Sequence, residues 1–152
     1  MTHVDYFKLQ AKNLFKDYKT KTSLLDERTG HSLYKYDPKY FDMDEVVCAF
    51  DIDEDNFSLM KAQHIIALMV GFDGWGELLN SSEDEQELAK LLFDNQHKIY
   101  IEDWFHYIAS VQLENQIRFE PAAKLEIFKV VFRDVDGHET SFQDYRLNKS
   151  LA

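Results

Sequence analysis

The chain has 152 residues, 45% of them hydrophobic, with 12 Phe and 8 Tyr against only 5 Gly and 2 Pro. That suits one domain with an aromatic core and leaves too few breakers for a turn-rich β architecture. A formal net charge of −11 argues against nucleic-acid binding and anionic membranes, and fits a partner for something basic.

A first helix is expected over about Asp5–Thr20, where Phe7, Ala11, Leu14, Phe15 and Tyr18 recur at helical spacing. From Thr20 to Pro38 the periodicity is lost, with a loop at Asp26–His31 and a short extended piece near Leu33–Tyr36. Asp42 with Glu45, and Asp51 with Glu54, repeat a capping-box spacing; Phe41 and Val46 supply a hydrophobic staple, and a helix is expected over Met43–Phe50. Ser58 caps an apolar central helix that stops at Gly71. Asp73 is read as the cap of a short helix with Trp75, Leu78 and Leu79. Ser82 and Glu85 form a capping box for a helix to about Phe93. Another helix runs over Ile101–Ile117 by pattern, or more narrowly Glu102–Asn115. Pro121 opens a last helix carrying Leu125, Ile127, Phe128, Val131 and Phe132. The fold class is all-α: a compact helical domain of six or seven helices over 1–133, with a polar C-terminal tail, 134–152, packed on the same domain.

The densest charge is the acidic run from Asp42 to Asp55. Asp51, Asp53 and Asp55 alternate like the start of a calcium loop, but the twelfth position is Ala62 and the sixth is Asn56. Helix capping explains these acids better than a cation site does. His106 follows Glu102 by four residues, half of a carboxylate–histidine metal pattern that needs partners from other helices. His64, on the central helix, reads as a core or edge histidine. Lys8, Lys12 and Lys16 share one helix face, as a solvated stripe, a site for an acidic partner or phosphates, or a match for the Asp42–Asp55 acids. The lone Cys48 sits among Val46, Val47 and Phe50 and is expected to be buried and inert. One cysteine fits a reducing compartment, and no signal-peptide run or transmembrane-length window stands out, so a cytoplasmic location is expected. Neither a catalytic serine elbow, a phosphate loop nor a dinucleotide fingerprint is present in the sequence, so no catalytic residue and no cofactor are assigned.

Ala62, Gln63, Ala67, Gly71, Phe72, Trp75 and Leu78 spell AQxxxAxxxGFxxWxxL. With Ala11-Lys12 and Leu14, this resembles a small helical bacterial domain described as glyoxalase-related. The resemblance covers well under half of the chain. It implies a bacterial origin and a helical corner. That domain has no assigned activity, so the resemblance implies no catalytic residue.

The preferred functional reading is a non-catalytic protein-interaction or regulatory module, with an antitoxin- or immunity-like protein that neutralises a basic partner as one form of it. A homo-oligomer is compatible with the sequence. The alternative is a metal-dependent or small-molecule enzyme using Asp51, Asp53 and Asp55 or Glu102 and His106. A nucleic-acid role through Lys8, Lys12 and Lys16 ranks third.

Overall fold

A computed structural model describes residues 1–140 and 144–147. The chain is mostly helical. Helix α1 (His3–Tyr18) begins at His3 rather than Asp5, because Thr2 caps it. The Thr2 hydroxyl accepts from the Asp5 amide at 3.0 Å, and the Asp5 carboxylate accepts from the Thr2 amide at 3.3 Å. That pairing holds the Asp5 carboxyl below the ordinary aspartate range.

The helical expectation holds, with a small antiparallel sheet added to it, one strand of which overlaps the extended piece expected near Leu33–Tyr36. Strands β1 (Thr22–Leu25) and β2 (Ser32–Lys35) pair with Thr22 opposite Lys35 and Leu25 opposite Ser32. The connecting turn closes through Asp26 N to His31 O at 2.9 Å and Gly30 N to Asp26 O at 2.8 Å. Gly30 adopts φ +76, which glycine accepts without a Cβ penalty.

Helix α2 (Met43–Ala49) is capped by Asp42, whose carboxylate accepts from Glu45 N at 3.2 Å. The second copy of that spacing starts no helix. Asp51 stands at φ 49 and Asp53 instead accepts from Asp55 N at 3.0 Å, which makes a turn. Helix α3 (Leu59–Met69) has Ser58 as its cap, accepting from Lys61 N at 3.2 Å. It stops as expected at Gly71, with φ +94. Helix α4 (Trp75–Asn80) is capped by Gly74 and not by Asp73, whose amide donates to the Glu77 carboxylate at 3.3 Å. Helix α5 (Glu83–Asp94) carries the expected Ser82–Glu85 capping box. Helix α6 (Ile101–Asn115) ends where Gln116 turns left-handed at φ 52. Helix α7 (Pro121–Phe128) has proline in its first turn and runs into a π-helical turn at Lys129–Arg133.

Among the described residues the buried side chains form two clusters. One surrounds α3, which packs on α1 and α4, and holds Phe7, Leu14, Phe41, Val46, Ile66 and Leu78. The other joins α5, α6, α7 and the π-helical turn around Trp104, Ile108, Leu125, Phe128 and Phe132. Helix α5 touches both α1 and α7 and so links them. Tyr145 and Arg146 of the tail are buried. Asp42 N donates to Tyr145 O at 2.8 Å and Leu147 N donates to Tyr40 O at 3.0 Å. The remainder of the expected tail, 141–143 and 148–152, lies outside the described residues.

Cys48 was expected to be buried, and it is exposed. On the short α2, Met43 and Val46 take the inward face, and Cys48 falls off it. Among the described residues no helix is long and apolar enough to cross a membrane.

Candidate functional site

Two surfaces stand out: the β1–β2 hairpin, and a cleft between α3, α5, α6 and α7.

The acids of the 51–55 loop turn out to hold the hairpin. The Tyr34 hydroxyl donates to the Asp55 carboxylate, and the Tyr36 hydroxyl donates to the Glu54 carboxylate at 2.6 Å. The Glu54 carbonyl accepts from the Tyr18 hydroxyl at 2.7 Å and from the Lys21 ammonium. The bond to Asp55 raises the Tyr34 phenol above its ordinary range; burial and then Glu54 do the same for Tyr36. A two-stranded hairpin is marginal on its own in water. These bonds at its base, together with the Lys21 ammonium over the Tyr34 ring at 4.4 Å, supply the missing anchorage.

Side chains alternate between the faces of a strand. Tyr34 therefore marks the face turned to the acidic loop, and the directly opposed pair Leu24 and Leu33 lies on the other. Leu24, Leu25 and Leu33 are 53%, 69% and 54% exposed. Exposed leucines grouped on one small element are unlike the scattered apolar residues of an ordinary surface. Composition pointed only to a generic acidic surface. These leucines carried no sequence signal, because neither strand buries a face.

Among the described residues no group of three or more His, Cys, Asp or Glu stands close enough to hold a metal ion. Asp51 is exposed, and Asp53 and Asp55 are committed to a turn and to Tyr34. Glu102 and His106 are exposed on α6, and Glu102 pairs with the nearby Tyr100 phenol, which burial chiefly pushes up. His64 is exposed too, with Gly74 beside its ring. Lys8, Lys12 and Lys16 form an exposed stripe on α1 with no ion pair to the Asp42–Asp55 acids.

The cleft is an apolar cavity of about 230 Å³, walled by Val70, Leu88, Ala89, Leu92, Trp104 and Ile108. Gly71 and Phe105 meet at one side of it. A Cβ on Gly71 would fall 2.3 Å from Phe105 Cζ, so glycine lets the ring lie against the end of α3. The charged lining residues are Glu85 and Lys124. Glu85 was legible as a cap; Lys124 and the enclosure itself were not.

Sequence reasoning also missed two polar clamps. Asp17 is 2% exposed and accepts from the amides of Lys39, Tyr40 and Phe41 at 2.9, 2.8 and 2.8 Å. Arg146 pairs with Asp144 at 3.2 Å, donates to the Asp94 carbonyl at 3.0 Å, and lies 3.2 Å from His97 Nδ1. Both fasten distant segments and belong to the scaffold.

No protein-family model, no curated protein and no solved structure matches this chain. None of these comparisons supports the expected resemblance to the glyoxalase-related helical domain. In the fold the seven positions of that motif run from α3 through the Gly71 turn into α4, with Ala62, Ala67 and Leu78 buried.

Proposed function

We propose that this chain is a non-catalytic interaction module that engages a protein partner through the β1–β2 hairpin. The observation that carries this reading is the exposed Leu24–Leu33 pair on a hairpin whose base is tied down by Tyr34, Tyr36 and Lys21. Among the described residues no third strand pairs with either outer edge, so both offer backbone groups to an added strand, a recurrent mode of peptide recognition. The surplus of acids, net charge −11, favours a basic partner and speeds its encounter. An antitoxin- or immunity-like role fits that charge. The kinship with the glyoxalase-related domain and a bacterial cytoplasmic setting are parts of the same proposal; neither supplies an activity.

The test compares the immobilised wild-type chain with a Leu24→Ser/Leu33→Ser double variant against lysate of the source cell. The reading expects a protein rich in Lys and Arg to be retained by the wild type and lost with the variant. An identical set on both chains contradicts a hairpin interface. Sedimentation of the two chains separates self-association from capture of a second protein.

A further inference from the structure

We propose that the cleft between α3, α5, α6 and α7 binds a free α-amino acid with an apolar side chain, such as phenylalanine or leucine. The cavity of about 230 Å³ is walled by aliphatic and aromatic groups. A dry apolar cavity of ~150 Å³ already admits benzene, so a benzyl or isobutyl group fits. Ligand sites commonly pair such a wall with a few charged groups that fix orientation.

Here those groups are of opposite sign. Lys124 is half-buried and makes no ion pair or side-chain hydrogen bond among the described residues. Glu85 is exposed and commits Oε1, to Ser82 N at 3.3 Å and Ser82 Oγ at 3.0 Å, while Oε2 has no hydrogen bond among the described residues. Both line the cavity, and their exposure relative to the buried wall places them at its mouth. No salt bridge joins them. A simple carboxylate would meet repulsion from Glu85, and a simple amine would meet Lys124. A zwitterion satisfies both.

Two helix ends at the cavity point the same way, while the N-terminus of α5, where Glu85 stands, favours an anion. α3 finishes at this wall, with Val70 as its C-cap, and the negative end of its dipole favours an ammonium. α7 begins there at Pro121 with no side-chain cap, and its positive end favours a carboxylate. This site is separate from the hairpin, so failure of one proposal leaves the other standing.

The experiment is a titration of the full chain with L-phenylalanine and L-leucine, followed by amide and indole resonances. Phenylpropionate and phenethylamine serve as single-charge controls, and Phe-Gly amide and acetyl-Gly-Phe mimic chain ends. Binding should move the Gly71 amide and the Trp104 indole. Each single-charge control and each peptide end should bind about tenfold more weakly or worse. Lys124→Gln and Glu85→Gln should each weaken L-phenylalanine by a similar factor with the melting temperature nearly unchanged; glutamine still completes the cap on Ser82. The proposal is overturned if neither amino acid moves those resonances at millimolar concentration. Equal binding of phenylpropionate or phenethylamine overturns the zwitterion, and equal binding of a peptide end overturns the free amino acid.

Discussion

The two buried clusters share ring packing, such as Tyr6 and Phe41 against Phe93 in the first, and differ in the polar clamps that the first adds. Around α1 and α3, those clamps join distant segments. Asp17 gathers three amides of the segment before α2, the Tyr6 hydroxyl donates to Asp94, and Arg146, paired with Asp144 inside the tail, locks the tail on the Asp94 carbonyl. Around α6 and α7, rings pack on one another. Trp104 meets Phe128 edge-on at 5.2 Å and Phe132 at 5.8 Å, and Tyr107 meets Phe132 at 5.6 Å. Hydrogen bonds between distant segments fix one arrangement. The cavity opens between the two clusters, with Val70 and Ala89 of the first and Leu88, Leu92, Trp104 and Ile108 of the second on its wall.

The largest expected effect breaks the ring-packed side. Trp104→Ala removes a 2% exposed side chain next to an existing cavity. It should cost about 4 kcal/mol in chemical denaturation. On the clamped side, Asp17→Ala leaves three amides without their acceptor. It should cost about 3 kcal/mol in the same assay. Asp17→Asn should cost roughly half as much, because one oxygen still serves Tyr40 and Phe41.

Gly71→Ala sharpens the contrast at the border. It meets both a positive φ and the Phe105 ring. The half-exposed ring can swing aside, so the backbone dominates, and a loss of about 1–2 kcal/mol is expected. Thermal melting measures it.

Alkali should expose the buried phenols. Burial, the largest cause, raises Tyr6, Tyr36 and Tyr145, with carboxylates adding to it. Each neutral phenol is favoured in the fold. Its contribution is therefore complete below the ordinary tyrosine pKa and is lost as pH climbs through it toward the raised values. Ultraviolet titration should show these three ionising late, together with unfolding. The smallest stability effect belongs to Leu24→Ser/Leu33→Ser, within about 0.5 kcal/mol, because both leucines are exposed.

The helices were largely legible because their signals are local. Ser58, Ser82 and Pro121 each mark a start within a few residues of what they cap or open. Asp73 misled because Gly74 can take the extended cap conformation and leaves the aspartate outside. β1 was invisible: Thr-Ser-Leu-Leu buries no face, so no alternation marks it. The repeated Asp-x-x-Glu spacing held for α2 and failed at Asp51, where the chain turns left-handed instead of entering a helix. Asp17 carries no local signal, since its partners lie more than twenty residues on. The cleft draws on four segments, and only the fold brings Val70, Glu85, Trp104 and Lys124 to one place. The Asp51, Asp53 and Asp55 pattern was conspicuous in sequence, yet its structural partner is a tyrosine-bearing hairpin, which spacing along the chain does not reveal.

The most direct measurement of the central claim is hydrogen–deuterium exchange on the chain alone and in complex with the partner it retains. The account predicts that protection on binding concentrates in Thr22–Leu25 and Ser32–Lys35 and vanishes in the Leu24→Ser/Leu33→Ser chain. Protection that spares the hairpin and falls on another face contradicts it.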